Sequence, residues 1–301
     1  MHNILTSLLT ISGWTCVVST GILALFYLIL RMRGAHLFIK SKFGPVLIFD
    51  SQDKQKTPIR LLNVGNKFQS VCYLQKELRY KLVCIYHQYM MQVVELAHKE
   101  AGKTLVIGAG GYSLPKWMWA HYPNMQVSVV EIDPTITKLA KRFFFLQQTL
   151  DTFCKNSYQE LNYPACLEEQ QCPSTCRARI IHADGVHYLQ HTQETYDVII
   201  NDAFAGKNAL ISLANQEGAR LLKSRLRSNG VYLANIISPF DMSSGSILHK
   251  VIASMQTQFA YVYLIPEDEE DPRVVANNVL VASNLALKIA KSYRVESLPS
   301  H

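Results

Sequence analysis

Residues 104–133 read TLVIGAGGYSLPKWMWAHYPNMQVSVVEID. An apolar run, Thr104–Ile107, meets a glycine turn, Gly108-Ala109-Gly110-Gly111, and a helical stretch follows. A second apolar strand, Val127–Ile132, then delivers Glu131 and Asp133 at its carboxyl end. In an open α/β sheet, ligands lie in the crevice at the carboxyl ends of the strands. Glycines there let the backbone approach closely, and an acid about 20 residues further on accepts the ribose hydroxyls. The third glycine comes at once, at Gly111, so the spacing is not that of a pyrophosphate loop. A nucleoside without phosphates fits better, S-adenosylmethionine and its relatives being the common case. Gly108, Gly110, Gly111, Glu131 and Asp133 are therefore the expected nucleoside-binding residues. The competing reading is a glycine turn that only packs a helix against a strand.

Outward from this unit, strand and helix alternate. Arg179–His182, Tyr196–Ile200 and Val231–Ile237 are strand candidates, and helices are expected over 136–145, 213–226 and 246–255. Such alternation implies a mainly parallel sheet covered on both faces. Ala260–Leu264 and Asn278–Ala282 are joined by a short acidic link, which predicts an antiparallel closing hairpin of the methyltransferase type. Before the glycine loop, Pro45–Phe49, Ile59–Val64 and Phe68–Leu74 are separated by Asp-, Gly- and Asn-rich turns and read as antiparallel hairpins. Leu82–His98 reads as a helix. The expected fold is α/β: a methyltransferase-like Rossmann sheet, preceded by a small antiparallel β domain and an N-terminal transmembrane helix. The expected boundaries are 1–33 for the anchor, 34–82 for the β domain, 83–285 for the transferase domain and 286–301 for a tail.

The anchor is read from Ile4–Leu30, which carries no formal charge and is long enough to span a bilayer. Arg31, Arg33, Lys40 and Lys42 follow it, so the positive-inside rule puts the bulk of the chain in the cytoplasm. A cleaved signal peptide is the rival, but the start Met-His-Asn is not basic and no A-x-A site follows. The formal charge is +7, yet no Lys/Arg run or basic–aromatic interleaving appears, so nucleic acid is not an expected partner. Seven cysteines, an odd number, together with a cytoplasmic orientation argue against a disulfide framework. Cys154, Cys166, Cys172 and Cys176 fall in one segment, read as an insertion over 147–178. Their spacing lacks the short pairs of a structural zinc site, so no metal is expected.

Two more strand candidates end in acids: Ala183-Asp184-Gly185 after the third and Asn201-Asp202 after the fourth. Asp184 could equally be a helix N-cap, and Asp202 a cap or turn residue. Together with Glu131 they put three carboxylates at successive strand ends.

From about residue 43 to 283 the chain resembles the spermidine synthase family. The pieces are Tyr86-His87-Gln88, the loop from Ile107 to Gly111, Val130–Asp133, Ala183–Gly185 and Val198–Asp202. Asn201–Gly206, the stretch ending at Val231, and Asn235–Ser238 look most like the membrane-linked bacterial branch. The resemblance implies that Glu131 holds the ribose of S-adenosylmethionine or its decarboxylated form. It also implies that Asp184 and Gly185 contact the adenine side, that Tyr86 and Gln88 meet the substrate, and that Asp202 helps deprotonate an attacking amine. A homodimer is left open. Three positions depart from the family pattern. An Asp after the glycine loop is Gly111, a second Asp after the catalytic one is Ala205, and the Tyr-Gln-Glu helix motif becomes His87-Gln88-Tyr89. These losses remove anionic partners for a diamine while keeping the nucleoside site. A methyltransferase unrelated to polyamines and a non-catalytic nucleoside sensor are the alternative readings.

Overall fold

The computed structural model describes residues 35–38, 41–162, 176–203, 213–268 and 270–290, with single residues Gly21, Leu25, Leu28, Tyr293 and Val295. Nearly all of the expected anchor, Ile4–Leu30, lies outside the described residues. Among those described, no helix is long and apolar enough to cross a membrane.

A four-stranded antiparallel sheet comes first: β1 (His36–Phe38), β2 (Val46–Gln52), β3 (Pro58–Val64) and β4 (Lys67–Tyr73), in that spatial order. Alternation in β3 puts Leu62 and Val64 inward, into the core shared with the second sheet. Gly65 and Asn66, both at positive φ, make the tight turn to β4. Helix α1 (Ile85–Leu96) follows, starting three residues later than the periodicity suggests, because Cys84 is still extended.

The second sheet has eight strands: β5 (Lys103–Ile107), β6 (Gln126–Glu131), β7 (Tyr158–Asn162), β8 (Ala178–His182), β9 (Tyr196–Asn201), β10 (Leu226–Ser238), β11 (Tyr261–Ile265) and β12 (Ala276–Ser283). Their order is β11-β12-β10-β9-β5-β6-β8-β7. The pairs from β10 through β7 are parallel, and β12 runs antiparallel to both β10 and β11. The expected closing hairpin and methyltransferase-like α/β sheet are therefore present. The strand order reverses between β5 and β9, and a crevice opens where the two flanking connections leave in opposite directions.

Helices α2 (Ser113–His121), α3 (Pro134–Phe143), α4 (Leu146–Phe153), α5 (Gly185–His191), α6 (Gln216–Arg225) and α7 (Ile247–Gln256) cover the sheet. Their starts carry local signals. Asp133 caps α3 at Thr135 N, with Pro134 behind it, Asn215 caps α6 and Ser246 caps α7. The segment read as an insertion is partly built into this layer. Residues 146–153 are α4, and Tyr158–Asn162 add an edge strand beside β8; 163–175 lie outside the described residues. Among the described cysteines, Cys72, Cys84 and Cys154 are free thiols.

The two sheets share one core. Val46, Ile48, Leu62, Val64 and Cys72 of the small sheet are buried with Val106, Tyr112, Leu114 and Phe144. Polar ties cross the same boundary: Lys42 N donates to Asp133 Oδ2 at 2.7 Å, Arg60 Nη1 to Phe143 O at 3.0 Å, and Ser113 Oγ to Val71 O at 3.0 Å. The small sheet is thereby held over the crevice as its outer wall.

Candidate active site

The crevice contains a cavity of about 640 Å³, within the range of roughly 300–1,000 Å³ usual for small-molecule sites. Four strand ends supply its floor: Ile107 to Gly110, Val130 to Ile132, Ala183 to Val186 and Asn201 to Ala203. The small sheet adds Leu62, Val64, Gln69 and Ser70, and α1 adds His87.

The glycine loop is shaped by close approach. Gly108 has φ +82°, and a Cβ there would sit 2.5 Å from Ala203 Cα. Gly110 has φ +49°, and its Cβ would meet Gln69 O at 3.2 Å. Both positions need glycine for conformation as well as space. Gly111 differs. Its φ is ordinary, it does not line the cavity, and a Cβ would press on Ser70 Oγ at 2.7 Å and the Phe144 ring at 2.9 Å. Its role is to let the small sheet close on the loop.

Glu131, at the end of β6, is buried with its carboxylate turned back to the loop. Oε2 accepts from Ala109 N at 3.1 Å and Oε1 from Asp133 N at 2.9 Å. Burial pushes its pKa up to about 7, against the lowering effect of those backbone donors. Asp133 is placed otherwise than expected. Its oxygens serve Thr135 N and Lys42 N, and it does not line the cavity. It anchors the chain before β2 to the start of α3. Asp184 does line the cavity and is also the N-cap of α5, its Oδ1 accepting from Val186 N and His187 N, both at 3.0 Å. The capping reading and the binding position are thus compatible at one side chain. Gly185 packs directly on Ile107, where a Cβ would come within 2.4 Å of Cγ2.

Asp202 sits at the end of β9, on the far side of β5 from Glu131. Two strand spacings separate them, about 10 Å. Three side chains hold its carboxylate. His87 Nε2 lies 2.8 Å from Oδ2, Tyr86 Oη donates to Oδ2 at 3.5 Å, and Asn235 Nδ2 donates to Oδ1 at 3.3 Å. Asn235 is itself braced by Asn277 Oδ1 at 3.1 Å, and Asn277 donates to Glu267 Oε2 at 2.7 Å. Among the described residues, His87 Nδ1 is buried without a hydrogen-bond partner. Burial and the Asp202 charge push the Tyr86 phenol well above its ordinary range, so it stays a donor. Side-chain exposure of Asp202 is 18%, against 7% for His87, so the carboxylate is the more open member of the pair.

Gln88 points elsewhere: it is exposed, and its amide donates to Leu82 O at 3.0 Å. His87, Asn235 and Gln69 were not among the expected site residues. For His87 a signal existed. It shares the buried helical stripe with Met90, Met91 and Val94, whereas Gln88 is one residue off it. Asn235 comes from β10, the strand paired with β9, and its stretch Asn235–Ser238 is marked only by the family resemblance, which gives it no role. Ala205 lies outside the described residues. Among the described residues, no cluster suited to a metal ion is present.

The fold and the crevice define a methyltransferase-like α/β protein. The spermine/spermidine synthase domain model matches residues 83–270, and the chain belongs to that family. Its curated relatives include the polyamine aminopropyltransferase of Vibrio vulnificus (strain CMCP6), 25% identical over 204 residues, covering 66% of this chain and 58% of the relative. That of Shigella dysenteriae serotype 1 (strain Sd197) is 28% identical over 153 residues, covering 50% and 45%. The chain thus spans about half the length of these relatives, which are transferases. Among solved structures, a probable spermidine synthase from Corynebacterium glutamicum ATCC 13032 superposes with a TM-score of 0.63 at 18% identity, covering 85% of this chain and 82% of that one. A spermidine synthase in complex with the transition-state analogue AdoDATO gives 0.55 at 17%, covering 86% and 75%. Human methyltransferase-like protein 13 in complex with SAH gives 0.51 at 20%, covering 70% and 87%. At these identities the likeness is one of fold.

Two expectations follow from the geometry. Gly111→Asp restores the family's acid at a position with no room, so it should destabilise by about 1–3 kcal/mol through overpacking, read by denaturant unfolding; an unchanged midpoint would mean that Ser70 and Phe144 yield freely. The ribose-binding role expected of Glu131 requires its ionised form, and its pKa of about 7 places the change near neutrality. Affinity for methylthioadenosine should fall about tenfold from pH 8 to pH 6, measured by calorimetry. Glu131→Gln should bind weakly with no such slope.

Proposed function

We propose that this chain transfers the aminopropyl group of decarboxylated S-adenosylmethionine to an amine, with Asp202 as the base. The carrying observation is a carboxylate open to the cavity, fixed by His87 and Asn235, two strands from Glu131. Family membership supports the reaction class. The sign of the cavity supports the donor: Glu131, Asp184 and Asp202 line it, and among the described residues no Lys or Arg does. A sulfonium with an ammonium arm suits such a wall, while the carboxylate of intact S-adenosylmethionine finds no basic side chain there. Methyl transfer from S-adenosylmethionine is the second reading, favoured by the fold shared with the SAH complex.

In the proposed reaction the acceptor enters as an ammonium and gives one proton to Asp202. The freed lone pair forms an N–C bond at the methylene beside sulfur. The C–S bond breaks, its electron pair stays on sulfur, and the sulfonium leaves as a neutral thioether, methylthioadenosine. A positioned carboxylate speeds such a step by proton removal. His87 and Tyr86 keep the carboxylate's open lone pairs aimed at the cavity, which is a positioning role.

Asp202→Asn removes the base at constant size. Donor affinity should change only a few-fold, while single-turnover transfer falls by about 10²–10⁴. Equal losses in both would make Asp202 a binding residue. No loss in either would favour the non-catalytic reading.

We further propose that Ile4–Leu30 anchors the chain with the catalytic part in the cytoplasm, on the strength of its uncharged length and basic flank. A C-terminal reporter should be active on the cytoplasmic side and resist release by high salt. A shortened soluble product outside the cell would contradict this.

A further inference from the structure

We propose that a strip formed by β1, the strap of residues 41–45 and α3 docks on an anionic bilayer surface; this rests on the anchor reading above. One observation concerns reach. Arg-Met-Arg-Gly-Ala is all that separates Leu30, the end of the anchor, from His36, the first residue of β1. Six peptide steps span at most about 22 Å even when fully extended. A chain anchored at Leu30 therefore holds β1 close to the headgroups, and whatever packs along β1 comes with it. Helix α3 packs there. The His36 and Phe38 rings lie 4.7 and 5.6 Å from the ring of Phe143, at the C-terminal end of α3. At the other end, Lys42 N donates to Asp133, the N-cap of α3. The segment from β1 through the strap thus runs the length of the helix.

The other observation is charge. Residues 31–49 contain Arg31, Arg33, Lys40 and Lys42 and no Asp or Glu. Helix α3, PTITKLAKRF, adds Lys138, Lys141 and Arg142 and likewise has no acid. Pro134, Lys138 and Arg142 are exposed and four residues apart, so they form one outward line on the helix. Lys42 and Phe43 are exposed on the strap. Among the described residues, the acids bonded to the strip are already engaged. Asp133 is buried and accepts from Thr135 N and Lys42 N, and Glu160 is paired with Lys141.

Anionic headgroups attract cations beside a membrane anchor, and the attraction falls off within a Debye length, about 10 Å at 0.1 M salt. The strip that the anchor tethers nearest the bilayer is thus the strip whose exposed cations lack acidic partners. Reach and charge select the same surface independently. Phe43, 39% exposed, also lines the cavity, so docking brings one rim of the crevice to the headgroups.

The test uses the full chain in nanodiscs of phosphatidylcholine alone or of phosphatidylcholine mixed with phosphatidylglycerol. Retention on the discs in high salt is read first and reports the anchor by itself. Amines are then acetylated with a neutral N-hydroxysuccinimide ester, and each lysine is quantified by mass spectrometry. Lys42 and Lys138 should react at least about fivefold more slowly in the anionic discs, the share of one cation at an anionic surface. The slowing should vanish in molar salt, where the Debye length is about 3 Å. Lys250 is exposed on α7, which packs on the opposite face of the large sheet, and should react alike in both discs. Lys138→Glu combined with Arg142→Glu reverses two exposed charges and should abolish the slowing at Lys42. Disc-bound protein whose Lys42 and Lys138 react equally in the two lipids overturns the proposal. So does slowing at Lys250 as large as at Lys42, or slowing at Lys42 that persists in a double variant folded by circular dichroism. A chain that elutes free of the discs refutes the anchor, and the docked strip falls with it.

Discussion

A buried carboxylate governs the architecture of this site. Glu131 is fully enclosed at the end of β6, and it tolerates that burial because Ala109 N and Asp133 N both point at it. Those two bonds tie the glycine loop to the neighbouring strand end. The arrangement is held under electrostatic stress, since burial lifts the acid to a pKa of about 7.

The small sheet completes what the large one begins. Without β4, the glycine loop would face water; with it, Gln69 and Ser70 close over Gly110 and Gly111. This contact also explains the departure at Gly111. An acid there needs space that Ser70 and Phe144 occupy in this chain. On the opposite side of the cavity, Asp202 is oriented through a chain of amides, Asn235 and Asn277, that ends at Glu267. Asn235 and Asn277 are side chains on β10 and β12, so the Asp202 carboxylate is braced from neighbouring strands.

Much of the fold was legible in local pattern. Thr104–Ile107 and Val127–Val130 are strand-forming runs between a glycine turn and an acid, and β5 and β6 form where they should. The closing pair β11 and β12 was legible because a short link between two apolar runs leaves room for little else. Other features were not. Strand β7, Tyr-Gln-Glu-Leu-Asn, has neither an apolar run nor strict alternation. It is a strand because β8 offers its edge, and because Glu160 reaches His182 Nε2 at 2.9 Å. Asp133 was misplaced for a related reason. At the end of an apolar strand it looks like a ligand-binding acid, but Lys42 N, 91 residues away in sequence, claims it.

The sequence by itself determined which strand ends carry acids and where the backbone must approach a ligand, because both are set by residue type within a few positions of a strand–turn–helix unit. Only the tertiary structure decided which acids meet in one cavity, which are spent on caps and ties, and that His87 rather than Gln88 faces Asp202. Those outcomes depend on the strand order, on the phase of α1 against the sheet and on the small sheet lying over the crevice. All three are contacts between residues far apart in the chain, and no local pattern encodes them.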